Sequence, residues 1–467
     1  MRFNRWWFFV ALFLVLAAAR LCHRSILWAE ETLPLASAGQ MLHGRMLYRD
    51  IWFDKPPLVA LPYLLWGARD GWPLRVAGAL YVLLACWLAY RFARDLWSER
   101  EGVWAAGLLG FFLTFDFSSA VIPLASDLWL VAPHLAAVWL AWRRRPFWSG
   151  ALLGLGFLAS PKALLVAPVC VLWNPAGLLW IAAGFLAVNG VAAAALALTG
   201  AFGAYWDQVW RWGRLYAAAP LGEGFLRNGL VRTLDWAGFH AALLAGALWF
   251  FWRSRSEDKQ PAPFQWAVWC GFSVAGVIAG WRFFPRYYFL LLPLLVVAAA
   301  RGFTLLGRKS IWIALLLLVP LVRFGPRYVW LSSGGTVWAD TAMDRDSRAA
   351  AALLRPLVHF GDTLFVWGFR PEVYVYTGLP AATRFLDSQP LTGVPADRHL
   401  TQSAPVETAA PREHRTELAG ASPTFIVDGL GLYNPRLAIG NYADLRDWLE
   451  QYREVARSAQ SVIYRRR

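Results

Sequence analysis

At 467 residues, length alone suggests about three soluble domains, but 58% hydrophobic residues, only 16% charged ones and a mean hydropathy of +0.41 exclude that reading. A soluble enzyme, a disordered chain and a disulfide-stapled secreted protein are all ruled out, because ordinary soluble domains run at roughly 45–50% apolar and 25% charged. The net charge of +15 is no nucleic-acid footprint: from Pro326 to Arg467 there are 16 Arg or Lys against 15 Asp or Glu, so the excess lies earlier, in short links between apolar runs, as positive-inside topology requires.

In chain order, Met1–Trp7 carries Arg2 and Arg5, and Phe8–Ala19 is apolar and ends in Ala17-Ala18-Ala19. That is signal-peptide-like, but the many spans that follow favour an uncleaved first helix. A crossing needs about 20 apolar residues. The candidates are Trp6–Leu21, Leu74–Tyr90, Val103–Phe115, Leu124–Trp142, Ser149–Trp173, Gly177–Thr199, Leu234–Trp252, Phe264–Gly280, Tyr287–Ala300 and Ile311–Val322. Basic clusters mark the cytoplasmic side at Arg2/Arg5, Arg91/Arg94, Arg143–Arg145, Arg253/Arg255/Lys259 and Arg301/Arg308/Lys309.

Parity then forces a broken span. Between Arg145 and Arg253 the chain must cross an even number of times, yet only three apolar runs lie there. The odd one, Ser149–Trp173, carries Ser160-Pro161-Lys162 at its centre. Proline breaks a helix interior, and an intramembrane lysine is costly unless it faces a polar cavity. Two short helices meeting at Ser160–Lys162 in a protein-lined recess satisfy both constraints. The expectation is about eleven crossings in a module over 1–325, N-terminus inside. The long loops Cys22–Pro73, Phe117–Pro123 and Gly200–Thr233, the Trp281–Arg286 corner and the 326–467 tail would then lie outside.

The tail reads as a small α/β domain. Asp346–Val358 has a helical pattern, Thr363–Trp367 a strand pattern, and Pro371–Thr377 is helical again. Thr424–Val427 is a strand, Asp444–Glu454 an amphipathic helix and Ser461–Tyr464 a last strand, an alternation that favours an open α/β layer.

The chemistry collects in the first long loop. Glu30-Glu31 head a stretch bearing Leu33, Leu35, Ala36, Met41 and Leu42, expected to lie along the membrane interface with its acidic head in a cavity. Tyr48-Arg49-Asp50 and Phe53-Asp54-Lys55-Pro56-Pro57 follow. Capping of a helix N-terminus is the plainer reading of an acidic pair, and for Asp54 a salt partner or turn former is preferred. The order acidic pair, Met-Leu, Gly, then Asp-Lys-Pro-Pro resembles the C-type (GT-C) integral-membrane glycosyltransferases, above all family 39 and the related lipid A aminoarabinose transferases. The resemblance takes in Pro123-Leu124-Ala125-Ser126-Asp127, the broken Ser160-Pro161-Lys162 helix and Arg282-Phe283-Phe284-Pro285-Arg286-Tyr287-Tyr288 with Leu292-Pro293. Val366-Trp367-Gly368-Phe369-Arg370-Pro371 looks like the tails of bacterial members, with no chemistry attached. Where the family usually has Asp, this chain has Glu30.

The resemblance implies a sugar donor on a polyprenyl monophosphate and a lipid, glycan or protein acceptor, with inversion. Such a donor needs a membrane-level cavity, a cation for the phosphate and a carboxylate for the acceptor proton. Glu30 is the candidate base, with Glu31 as its rival. Lys55 is the candidate phosphate ligand, and Lys162, Arg282 and Arg286 are helpers. Asp127 is either a helix N-terminal charge or a site acid. No cofactor is demanded; two or three carboxylates could bind a divalent cation, though their spacing does not require one. Membrane lipids are expected partners and nucleic acid is not, and family likeness points to a bacterial inner membrane. A transporter or lipid flippase is the rival class, since a broken helix with an intramembrane lysine suits it too; the absence of an inverted repeat and the one-sided tail count against it. His23, His43 and His134 lack ligand spacing, and Cys22, Cys86, Cys170 and Cys270 read as small hydrophobes. Most of the 29 Trp should form interfacial belts, while Trp52, Trp206 and Trp212 could stack on a sugar or prenyl chain.

Overall fold

The computed structural model describes residues 5–116, 122–218, 224–253, 261–335, 339–394, 403–406 and 408–467. Arg2, Arg255, Lys259 and most of the Phe117–Pro123 loop lie outside the described residues. Apolar periodicity produces helices where the sequence places them: α1 Arg5–Leu21, α2 Ala29–Leu42, α3 Trp72–Leu96, α4 Glu99–Phe112 and α5 Ser126–Trp142. The next run is broken as parity demands. Helix α6 (Pro146–Phe157) ends before a 3-10 turn at Pro161–Leu165, and α7 (Ala167–Trp173) resumes. Proline at the first position of the new turn forfeits an N–H that would have no partner there.

Helix α8 (Leu178–Leu198) packs along α6. Contact is close because Gly184 lies against the Phe147 carbonyl, where an added Cβ would come within 2.0 Å; small residues let helix backbones approach like this. Short α9 (Phe202–Tyr205), a π-helical turn Trp206–Arg211 and α10 (Trp212–Ala218) follow. The span expected at Leu234–Trp252 is not one helix. It is α11 (Phe225–Phe239) and α12 (Ala241–Arg253), bent by 81°. The His240 ring is engaged at the bend, 2.7 Å from buried Asp116 and stacked between Phe112 and Trp236. Helices α13 (Pro263–Ile278), α14 (Leu292–Leu306), α15 (Ser310–Ala314) and α16 (Leu318–Ser332) complete this part.

Among the described residues, three helical stretches are long and apolar enough to cross a membrane, Trp72–Leu96, Pro175–Leu198 and Leu292–Ser332, and the bent α11–α12 pair makes up to four. Eleven crossings are therefore not reproduced. Several expected spans are too short by themselves, and the last two expected spans merge into one helical stretch that runs through Pro326.

The tail contains α17 (Ala339–Leu354), β1 (Leu364–Trp367), α18 (Glu372–Thr377), α19 (Gln389–Thr392), α20 (Ala409–Ala419), β2 (Phe425–Asp428), α21 (Arg446–Leu449), β3 (Tyr452–Arg457) and β4 (Val462–Arg466). The sheet order is β1-β2-β4-β3, with β1 and β2 parallel and the other pairs antiparallel. The amphipathic helix expected at Asp444–Glu454 is overturned. Only Arg446–Leu449 is α-helical, and Tyr452–Arg457 is an edge strand whose pairing with Val462–Arg466 outweighs the local helical pattern.

Strand alternation gives the sheet two apolar faces. Leu364, Val366, Phe425 and Val427 share a core with Leu33, Ala36, Tyr48, Ile51 and Phe53 of the first loop, while Phe365, Trp367 and Ile426 pack on the other face. Loop and tail thus have a common core. Helix α2 does not lie along an interface as expected; it is buried, with Leu33, Leu35, Ala36 and Ala38 all inside the protein.

Candidate active site

Helix breaks bring the charged side chains together. Glu30 is in the first turn of α2 and Asp127 in the first turn of α5, the helix end where a negative charge is most favourable. Lys162 sits in the 3-10 turn after α6, and Arg286 in the 3-10 turn Pro285–Leu290 that leads into α14. Arg286 Nη1 lies 2.5 Å from Glu30 and its Nε 3.3 Å from Asp127. The other Asp127 oxygen accepts from Lys162 Nζ at 2.8 Å, and that ammonium also stands 3.2 Å from the Tyr287 ring centroid, a cation–π placement. Lys55 meets Asp54 at 3.2 Å.

All six charged groups line one cavity of about 270 Å³, together with Pro56, Ser160, Trp212, Phe369 and Gln389. The segment that carries Lys55 is held by unusual backbone at Tyr48. Tyr48 adopts φ +67°; its hydroxyl donates to the Lys55 carbonyl at 2.7 Å and its own carbonyl accepts from Gln208 Nε2 at 2.9 Å. Gln208 also accepts from the Phe53 N–H at 2.8 Å. Gln208 lies in the π-helical turn, a form of helix that is frequent at functional sites.

Two of the charged residues singled out from sequence are not in the cavity. Glu31 is fully buried and turned away, one residue along the helix being a rotation of about 100°. Its carboxylate grips Arg75 at 2.5 and 3.0 Å and accepts from the Trp28 N–H at 3.1 Å. Arg282 is absent from the cavity lining, and its carbonyl accepts from Arg232. The histidines make ordinary contacts: His134 accepts from Trp269 at 2.8 Å, and His23 accepts from Trp28 at 3.4 Å. Trp212 reaches the cavity, with Trp52 edge-on behind it at 5.3 Å, whereas Trp206 is not part of the lining. Sequence reasoning gave no role to Phe369 or Gln389; the only signal was the motif around Phe369. Among the described residues, no group of three or more His, Cys, Asp or Glu could hold a metal ion.

The fold is thus a helical module with broken helices, a charged cavity where breaks and helix starts converge, and an α/β tail that reaches this cavity. The chain shares that fold with solved structures of ArnT from Cupriavidus metallidurans, in the apo state and bound to undecaprenyl phosphate. Both align at a TM-score of 0.57 and 15% identity, over 98% of this chain and 96% and 97% of theirs. The archaeal oligosaccharyltransferase AglB from Archaeoglobus fulgidus, in complex with an inhibitory peptide and a dolichol-phosphate, aligns at 0.50 and 12% identity over 92% of this chain and 70% of its own. Neither a family model nor a curated protein matches the chain. The resemblance read from the loop motif therefore holds at the level of the fold.

Proposed function

We propose that this chain is an inverting glycosyltransferase that moves a sugar from a polyprenyl-phosphate carrier to an acceptor at the outer face of a bacterial inner membrane. The observation that carries this reading is the convergence of Lys55, Lys162 and Arg286 with Glu30 and Asp127 in one cavity, in a fold shared with an ArnT that binds undecaprenyl phosphate.

In the reaction, the acceptor oxygen attacks the anomeric carbon and the carbon–oxygen bond to phosphate breaks. The acceptor proton passes to a carboxylate, and the polyprenyl phosphate leaves with the bonding pair. A single displacement inverts the anomeric centre. Glu30 is the proposed base because its side chain is 31% exposed against 11% for Asp127, which is also shared by two cations. Asp127 orients Lys162 and Arg286. An arriving phosphate takes hydrogen bonds from Arg286 and Lys55, loosening their carboxylate partners, and charge-assisted bonds of this kind are among the strong ones.

Product formation by the purified protein with a panel of polyprenyl-phosphate sugars, with and without chelator, tests the proposal. A transporter or flippase would form no glycosylated product, and the chelator arm decides the question of a divalent cation.

A further inference from the structure

The tail motif Val366-Trp367-Gly368-Phe369-Arg370-Pro371 has no role in the chemistry above, yet the fold holds it rigidly at the cavity. Phe369 follows the carboxyl end of β1, two residues after Trp367. Gly368 turns the chain at φ +114°, where a Cβ would press on Leu430 at 3.2 Å. Arg370, fully buried, anchors the other side of the turn through Asp346 at 2.8 Å, Ser461 Oγ at 2.6 Å and the Met343 carbonyl at 2.7 Å. The Gly368 N–H donates to Ser388 Oγ at 2.9 Å, and the Gln389 N–H donates to Asp387 Oδ1 at 2.8 Å. The two loops that deliver Phe369 and Gln389 are therefore tied to each other.

They are also tied to the first loop. Gln40 bonds the Leu379 carbonyl at 3.1 Å and the Ala381 N–H at 2.8 Å. Arg45 donates to Thr383 at 2.9 Å and also to Ala381, the Trp52 N–H donates to Arg384 at 2.7 Å, and the Leu27 N–H donates to Asp344 at 3.0 Å. The tail cannot shift over the cavity without breaking this set.

The cavity's residues divide by origin. Every charge comes from the first loop, the helix breaks and the start of α5, while the tail supplies an aromatic ring and an amide, beside Trp212 of α10. An uncharged site of ring and amide suits a sugar, which offers an apolar C–H face to an aromatic ring and hydroxyls to an amide. The sugar must lie next to the phosphate, because its anomeric carbon is bonded to it.

We infer that the tail completes the cavity as the subsite for the transferred sugar ring, with Phe369 as its stacking face and Gln389 as its hydroxyl ligand. The inference rests on the donor reading above. The test measures binding of two lipids to the purified full chain in detergent: undecaprenyl phosphate, and the undecaprenyl-phosphate sugar that the panel selects. Wild type is compared with Phe369→Leu, which keeps apolar bulk, and with Gln389→Ala. Each variant should bind the sugar-bearing lipid about tenfold more weakly, on the order of one lost ring contact or one hydrogen bond, while binding undecaprenyl phosphate like wild type. Equal losses for both lipids, or no loss for either, would overturn the inference. If wild type binds no undecaprenyl phosphate at all, the donor reading itself falls.

Discussion

Exchanging each glutamate of the acidic pair for glutamine separates their roles, because the two sit in opposite environments. Glu31 and Arg75 are both essentially without solvent contact, and Glu31 accepts from two Arg75 nitrogens and the Trp28 N–H. Glutamine keeps one oxygen and puts an amide donor against a guanidinium donor, leaving a buried charge without its counter-charge. Breaking a buried pair from one side costs about 3–5 kcal/mol. Glu31→Gln should therefore lower the unfolding temperature of the detergent-solubilised protein, with activity falling only as folded protein is lost. Glu30 faces Arg286 at 2.5 Å, but both side chains are about a third exposed, where a pair contributes about 0–1 kcal/mol. Glu30→Gln should melt like wild type, while single-turnover rate with saturating donor falls by about 10²–10⁴, the span for losing a general base. A stable Glu31→Gln together with an active Glu30→Gln would refute both assignments, and Asp127 would then be the next base to test.

Lys55→Ala should weaken donor binding strongly in a direct binding assay, and Lys55→Arg should restore it only in part, because a fork replaces a point charge; unchanged affinity in Lys55→Ala would shift the phosphate onto Arg286 and Lys162. Asp346 gives the tail an acid-sensitive anchor. Burial pushes its carboxyl up, but the Arg370 charge, Ser461 and the Gln460 N–H outweigh that and hold it below the usual carboxylate range. A carboxyl lowered in the folded state stabilises above the unfolded value of about 3.9, and that stabilisation is lost as pH falls through the folded value. Asp346→Asn should destabilise the protein at neutral pH and remove part of the acid-side loss, read as melting temperature against pH. For topology, maleimide labelling of Ala421→Cys in intact cells, in a background without the native cysteines, should show an extracytoplasmic tail; a protected Ala421→Cys that labels only after lysis would invert the map.

Helix existence and the break at Ser160–Lys162 were legible because apolar run length, proline and basic clusters act locally. The bend at His240 was not, since it depends on the Asp116–His240 contact between elements far apart in sequence. The same holds for the start of β3: Tyr452–Glu454 read locally as the end of an amphipathic helix, and only pairing with β4 decides for strand. Glu30 and Glu31 could be found as a pair but not told apart, because the face of α2 that meets Arg75 is fixed by α3, 44 residues away. Phe369, in the loop after β1, and Gln389, at the start of α19, owe their place over the cavity to the core shared by loop and tail, and no local pattern encodes that.

One local pattern does mark the cations. Lys55 precedes Pro56, Lys162 follows Pro161, and Arg286 follows Pro285, and each of these prolines opens, or immediately precedes, a 3-10 turn. The physical reason is the same for Lys162 and Arg286, whose turns lie between helices, whereas Lys55 lies in the first long loop. A cation in mid-helix at this depth would face lipid or a packed neighbour, and both are costly. A break in the helix solves this by turning the chain end into a recess, where the freed backbone groups and the side chain can share polar partners. Proline enforces such a break while giving up an N–H that the first turn would leave unpaired. The carboxylates use the complementary device: Glu30 and Asp127 stand in the first turns of full helices, where the positive end of the helix favours them. Cations on proline-marked turns and carboxylates on helix starts therefore meet at one level of the molecule, and Arg286 between Glu30 and Asp127 is the point where the two devices join.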